Sequence, residues 1–419
     1  MIKYIWDTKY IRNSQKKKEQ KGEEKMKKIT SVLLALLMVA LLATGCGSSA
    51  PAAKDGGNSG TPSTSGQGFE IALITDKGNI DDKSFNQGSW EGVVEFAEAN
   101  NVTHKYYKPE EATDAGYLAA IDLAVTGGAK VIVTPGFLFE VPIFEAQTIY
   151  PDVKFILLDG APHTADYATF ETKDNVASIM YAEEESGYLA GYAAVMDGMT
   201  KLGFMGGMAV PAVQAFGYGY LQGAEKAAAE LGLADGAISA IYHYTGDFAE
   251  TDTNKATAKT IYQGGTEVIF ACGGSVGKSV MSAAAEAGKK VIGVDVDQRY
   301  DSETVITSAT KGLRASVVQV LESIYKTNSW NTFAGQTTYF TAANEGIGLP
   351  TTVIGDANAK AFDRFEKFTM EQYEGAFKSL VDGTVDPIRT IDVEDANGYA
   401  TADELVSGLK LSKVKVEVR

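Results

Sequence analysis

Two phenylalanines stand at matched points of the sequence, each beside groups able to grip a flat polar guest. Phe85-Asn-Gln-Gly88-Ser-Trp-Glu-Gly92 and Phe216-Gly-Tyr-Gly219-Tyr-Leu-Gln-Gly223 both read F-x-x-G-x-x-x-G. Asp81, Asp82, Ser84 and Asn86 flank the first ring, and Asp159 closes a later apolar run. Gly273 and Gly274 follow another such run and admit close backbone approach. Asp295 and Asp297 close a third, and Lys311 follows a fourth. A planar ring held between two phenylalanines gains about 0.5–1.5 kcal/mol per stacked pair beyond the area it buries. Aspartate and asparagine can hydrogen-bond ring N–H and C=O groups, and a carboxylate suits vicinal hydroxyls. This combination fits a nucleoside better than a bare sugar or an amino acid. An amino-acid carboxylate would want an arginine, and of the candidates Arg299 and Arg314 neither sits in a strand-end loop suited to that role. Taken singly, each of these residues could be an ordinary strand-end cap or a core ring; the repetition argues against that for the phenylalanines.

Catalytic constellations are missing. His104, His163 and His243 share no spacing with one another, or with a carboxylate, that suggests a metal site or a nucleophile triad. Gly273-Gly-Ser-Val-Gly277-Lys278-Ser279 resembles a phosphate loop, but Cys272 stands where its first glycine is required. Asp295-Val-Asp297-Gln-Arg-Tyr300-Asp301 alternates like a calcium loop, yet has tyrosine where that loop turns on glycine. Asp295 and Asp297 have no partner base for glycosidic or nucleoside chemistry. The expectation is a binding protein without cofactor or metal, not an enzyme. A net charge of −16 and the lack of a basic face also speak against nucleic acid.

The elements that carry these residues repeat. Gly127-Gly128-Ala-Lys-Val131-Ile-Val133 parallels Gly264-Gly265-Thr-Glu-Val268-Ile-Phe270, and Lys154-Phe-Ile-Leu-Leu-Asp159 parallels Lys290-Val-Ile-Gly-Val-Asp295. Short apolar runs alternate with helical stretches, which implies parallel sheets with right-handed crossovers. The fold class is α/β, with two doubly wound parallel-sheet lobes joined by a multi-strand hinge. Ligands in such sheets sit beyond the carboxyl ends of the strands. The periodicity assigns 69–182 with 300–335 to lobe one and 183–299 with 336–419 to lobe two, with passages between lobes near 182, 300 and 335. It expects a helix headed by Phe216 and another over 359–380. A monomer is expected, and Cys272 reads as a small buried residue.

The N-terminus follows a different logic. Residues 1–45 carry ten Lys/Arg and four Asp/Glu, so without them the charge would be −16 − 6 = −22. Met26-Lys27-Lys28 is a compact basic start, followed by an apolar run from Ile29 to Ala43 that suits a signal peptide. Met26 reads as the true start, with residues 1–25 an upstream extension. The run ends Leu42-Ala43-Thr44-Gly45-Cys46, similar to the bacterial lipobox whose cysteine is lipidated. Residues 46–68 are rich in Gly, Ser, Thr, Pro and Ala and read as a tether between that cysteine and the folded body.

Several segments together carry a family resemblance: Asp82-Lys-Ser-Phe85-Asn86-Gln-Gly-Ser-Trp90-Glu-Gly92, Phe216 to Gly223, Ala271-Cys-Gly-Gly274, Gly293-Val-Asp-Val-Asp-Gln298 and Thr307-Ser-Ala-Thr-Lys311. The sequence resembles the basic membrane protein (BMP) family of bacterial lipoproteins, purine nucleoside receptors of ATP-binding-cassette importers. The resemblance covers 69 to about 345. It implies the type I periplasmic-binding-protein fold, a base stacked between Phe85 and Phe216, Asp82 and Asn86 reading that base, and Asp295 and Lys311 holding the ribose. It also implies a lipid-anchored protein on the outer face of the cell membrane, with a permease and an ATPase as partners. A sensor docking on a membrane receptor, or a receptor for a sugar or other small polar solute, is the alternative.

Overall fold

A computed structural model describes residues 69–354, 359–394 and 398–419. The expectations for the N-terminus, Cys46 among them, concern residues outside these. Lobe one opens with β1 (Ile71–Ile74), α1 (Phe85–Asn100), β2 (His104–Tyr107), α2 (Asp114–Thr126), β3 (Val131–Pro135), α3 (Glu140–Ile149), β4 (Lys154–Leu158) and β5 (Val176–Tyr181). The chain then enters lobe two through α4 (Glu183–Met196), β6 (Lys201–Gly206), α5 (Pro211–Glu230), β7 (Ile238–Tyr244), α6 (Asp252–Gln263), β8 (Val268–Cys272), α7 (Val276–Ala287), β9 (Lys290–Asp295) and β10 (Val305–Lys311). It ends with α8 (Leu313–Tyr325), β11 (Gln336–Phe340), β12 (Ile347–Gly348), α9 (Met370–Val381), α10 (Ala402–Gly408) and β13 (Val414–Val418).

The strands form two sheets, ordered β11-β5-β4-β3-β1-β2 and β12-β10-β9-β8-β6-β7-β13. Pairing is parallel except between β10 and β12. β1, β3 and β8 are buried along their whole length, as a parallel sheet covered on both faces requires.

Pairing moves two boundaries. β10 pairs with β9 in lobe two, so the chain returns to lobe one only after Lys311 and not near 300. β11 pairs with β5 in lobe one, so the last passage falls between Phe340 and Ile347 and not near 335. Residues 300–311 therefore belong to lobe two, and 336–340 to lobe one. Sequence periodicity could not show this, because a strand reads alike whichever sheet accepts it.

Two helical expectations also shift. α5 begins at Pro211, so Phe216 lies inside the helix and does not head it. Proline fits a first-turn position, where its missing N–H costs nothing. The helix expected over 359–380 starts only at Met370, where Thr369 and Gln372 form a capping box. Phe362, Phe365 and Phe368 imitate a helical stripe, but they pack on one another ahead of it, with centroids 5.2–5.5 Å apart.

The repeated glycines let helices touch. A Cβ at Gly219 or Gly223 would lie 2.0 or 1.9 Å from the carbonyl oxygens of Glu184 and Tyr188, and Gly187 and Gly191 face α5 as closely. In lobe one a Cβ at Gly92 would lie 2.8 Å from the Arg314 carbonyl oxygen on α8. Thus the G-x-x-x-G half of each motif seats the helix that has just crossed from the other lobe. The phenylalanine half projects from the same helix toward the strand ends, so one motif joins the hinge to the site.

Candidate functional site

Lys311, the last residue of β10, is 6% exposed and sits at the focus of both lobes. Its Nζ lies 4.8 Å from the centroid of Phe85, 5.3 Å from Phe216 and 5.5 Å from Tyr181. The two repeated phenylalanines, one from α1 and one from α5, therefore face one point from opposite lobes. Phe216 is fully buried and braced edge-on by Phe270, with centroids 5.8 Å apart and planes at 86°. Phe85 is only half-buried.

Three carboxyls converge on the same ammonium. Asp159 is in direct contact with Lys311, Glu183 lies at 3.2 Å and Asp295 at 3.8 Å. Asp159 and Asp295 follow from the repeat: they occupy matched positions at the ends of β4 and β9. Both adopt left-handed backbone, with φ of 54° and 66°. That conformation is uncommon outside glycine, and aspartate is among the few residues that tolerate it. Burial by itself would lower the pKa of Lys311; Asp159, Glu183 and Asp295 outweigh it and hold the ammonium above the usual lysine range. Burial raises Asp159 to about 8, partly opposed by Lys311 and assisted by the negative charge of Glu183.

The lobes meet here. Ser84 Oγ donates to the Asp295 carboxylate. Gln298 Nε2 donates to the Lys83 carbonyl at 2.7 Å, and Lys278 Nζ to the Asp81 carbonyl at 3.3 Å. These bonds join the loop ahead of α1 to the strand ends of lobe two.

Other sequence candidates have local duties. Asp82 is buried and accepts from the backbone N–H groups of Ser84, Asn86 and Gln87 at 2.9, 3.0 and 3.1 Å, fastening the start of α1. Asn86 Nδ2 donates to Asp76 at 2.8 Å and Asp82 at 2.9 Å, while its Oδ1 accepts from the Asp76 N–H at 3.1 Å. The base-reading role implied for Asp82 and Asn86 thus meets groups already engaged in holding the loop. Asp297 accepts from the Arg299 N–H at 3.2 Å, capping the turn after β9, and is not among the carboxyls at Lys311. Gly273 is required by packing, since a Cβ there would lie 2.7 Å from the Gly207 nitrogen; Gly274 has φ +56°. Cys272 is buried, as expected.

Sequence reasoning missed two groups. Glu183, at the first position of α4 and fully buried, meets Lys311 on one side and Arg389 at 2.6 Å on the other. The Glu183-Glu-Glu185 run at a helix start was its available signal. Asp76 follows β1, and burial raises it to about 6 against hydrogen bonds from Asn86 and Gly78. A Cβ at Gly136 would lie 3.6 Å from the Phe85 ring and 3.7 Å from Asp76 Oδ2, so ring and carboxylate share one wall. Its signal was a lone acid at a strand end.

Two parallel-sheet lobes, three passages between them and a polar site at the facing strand ends define a solute receptor with the type I periplasmic-binding-protein fold. ABC-transporter solute-binding proteins from Aeropyrum pernix K1 and Conexibacter woesei DSM 14684 share this fold. Their TM-scores are 0.68 and 0.58 at 23% and 21% identity, over 81% and 77% of this chain and 98% and 99% of theirs. The sequence profile of the PnrA-like ABC transporter substrate-binding proteins, the Bmp family, matches residues 69–377. The chain belongs to that family, whose members bind substrates for ABC transporters and are not enzymes. An ABC transporter nucleoside-binding protein, BmpA, of Lactococcus lactis subsp. cremoris is 31% identical over 78% of this chain and 93% of its own length. Basic membrane protein D of Borreliella burgdorferi is 30% identical over 67% of this chain and 78% of its own. Among the described residues no helix is long and apolar enough to cross a membrane.

Proposed function

We propose that this receptor captures a nucleoside, a purine nucleoside by preference, and delivers it to a membrane permease driven by a separate ATPase. The observation that carries the reading is the convergence of Phe85 and Phe216, from opposite lobes, on a point lined with Asp159, Asp295 and Lys311. A base entering between the rings displaces the Lys311 ammonium sideways, toward the carboxyls. There the ammonium and Asp295 meet the ribose hydroxyls, which a free base lacks. Asp76, on the wall beside Phe85, serves the polar edge of the base, while Asp82 and Asn86 hold the loop that presents the ring. Closure of the lobes excludes water and strengthens each of these contacts. The nucleoside-binding relative supports the ligand class. The lipobox-like ending at Cys46 supports attachment to the outer face of the cell membrane through acyl chains, of which two or more anchor stably.

Titration calorimetry of the purified protein with inosine, hypoxanthine, ribose and amino acids tests the proposal. Inosine is expected to bind tightly and hypoxanthine more weakly. Binding of ribose or an amino acid in preference to inosine would overturn it.

A further inference from the structure

One histidine of lobe one is buried with an acceptor at each ring nitrogen. His163 is 2% exposed. Its Nδ1 lies 2.8 Å from the Thr164 carbonyl oxygen and its Nε2 3.1 Å from Glu140 Oε2. A carbonyl can only accept, so Nδ1 carries a proton. Nε2 faces a carboxyl oxygen, so a second proton must lie between the two side chains. Glu140 Oε1 already accepts from the Ala161 N–H at 3.0 Å, as an ionised carboxylate does, and His163 is its one ion-pair partner among the described residues. The imidazole also lies over Tyr167, with centroids 4.1 Å apart and planes at 23°, and 5.0 Å from Phe170, a setting that favours a cation. This geometry is that of an imidazolium.

The pair fastens a hairpin beside the site. Residues 162–171 fold back on themselves: His163 bridges Phe170, the Thr164 N–H donates to the Thr169 carbonyl at 2.9 Å, and the Glu171 N–H to the Pro162 carbonyl at 3.2 Å. The hairpin starts three residues after Asp159, which contacts Lys311. Gly160, in between, is clamped: its carbonyl accepts from Ser178 Oγ, and a Cβ on it would lie 2.8 Å from Glu140 Cγ. Glu140 itself opens α3, four residues after Gly136 on the wall beside Phe85. We propose that His163 is a positioning residue: as the imidazolium it locks Glu140 onto the chain that follows β4, and so holds Asp159 where it receives the Lys311 ammonium when a ligand enters.

Deprotonation undoes the lock. A neutral ring keeps its proton on Nδ1, beside the carbonyl, and turns a lone pair on the Glu140 carboxylate. Two acceptors buried face to face repel, and the side chains part. The charges around the ring oppose that loss. Glu140 faces it from α3 and Asp114 from the start of α2. In the hairpin itself, Asp166 is turned back on Thr164 and Ala168, and Glu171 is exposed. Burial by itself would lower the pKa of His163; the hydrogen bonds to Glu140 and Thr164, with the charges of Glu140 and Asp114, outweigh it and raise the group above its ordinary value. The stabilisation is therefore fully present below about pH 6.5, the unfolded value, and is lost as pH rises through the higher folded midpoint.

The consequence for ligand rests on the nucleoside reading; the lock itself does not. In the full, ligand-free chain, proton–nitrogen NMR of the imidazoles, with His163 assigned through its contacts to Tyr167, is expected to show both of its ring nitrogens protonated at about pH 6 and a midpoint above about 6.5. The amide signals of Asp159 and Ala161 are expected to shift at that same midpoint. Glu140→Gln supplies a neutral carboxamide that accepts from Ala161 and donates to a neutral Nε2. In this variant the His163 midpoint falls below about 6.5, and the two amides no longer shift with the wild-type midpoint. The wild-type affinity for inosine is expected to fall across the His163 midpoint, by at most about tenfold per pH unit for one proton, and Glu140→Gln removes the component centred there. A His163 that is neutral at about pH 6 in the wild type overturns the proposal, a result that needs no folded variant. So do Asp159 and Ala161 amides that ignore the His163 midpoint, or an inosine profile that Glu140→Gln leaves unchanged. If inosine does not bind at all, the nucleoside reading fails while the amide titration still decides whether His163 positions Asp159.

Discussion

Replacing either clamp ring by leucine separates stacking from packing. Phe216 is fully buried against Phe270, so truncation to alanine would open a cavity costing about 3–5 kcal/mol and confuse folding with binding. Leucine keeps most of the apolar volume, at a stability cost below about 1.5 kcal/mol. It removes the flat face and with it the stacking increment of about 0.5–1.5 kcal/mol, a two- to roughly thirteen-fold weaker Kd. Phe85→Leu, at a half-buried site, should lose a similar affinity with a smaller fall in Tm. Calorimetry with inosine, beside thermal melts of the free proteins, gives both quantities. Both variants should bind inosine more weakly by comparable factors despite unequal destabilisation. If neither substitution moves the inosine Kd while both proteins remain folded, the rings do not clamp the base and the proposed site is wrong.

Asp295→Asn should weaken inosine by about tenfold or more and hypoxanthine little, because the lost charge-assisted bonds face the sugar; equal losses measured by calorimetry would remove Asp295 from the ribose. Asp76 titrates at about 6 when folded, so the folded chain binds more protons than the unfolded chain between about pH 4 and 6, and stability falls as pH rises through that window by about 3 kcal/mol from this group. Denaturant melts across that range should show a shallower fall for Asp76→Asn; identical slopes would contradict the buried carboxyl. Cys46→Ser should release the protein from membranes and abolish fatty-acid labelling, and labelling that persists would exclude this cysteine as the anchor.

The repeat was legible in the sequence because duplicated segments retain the same local requirements. F-x-x-G-x-x-x-G places a ring and two small residues on one helix face, and the matched runs ending in Asp159 and Asp295 bring each aspartate to a strand end. Those facts were enough for an α/β chain with two similar lobes, two opposed rings and acids between them. Sequence did not reveal which sheet receives β10 and β11, since strand pairing is a long-range choice that local periodicity does not encode. Nor did it distinguish acids that face the cleft from acids that fasten a loop: Asp82 and Asp76 stand six residues apart in one polar stretch, and only the path of the chain turns one onto the start of α1 and sets the other beside Phe85. Arg389 was the least visible of all. It lies 206 residues from Glu183, in a segment without regular structure, and acquires meaning only when the chain returns to place its charge behind the buried carboxyl. Local sequence determined the pieces and their chemistry; tertiary packing decided which buried charges share one site, because electrostatic coupling depends on distance in space and not along the chain.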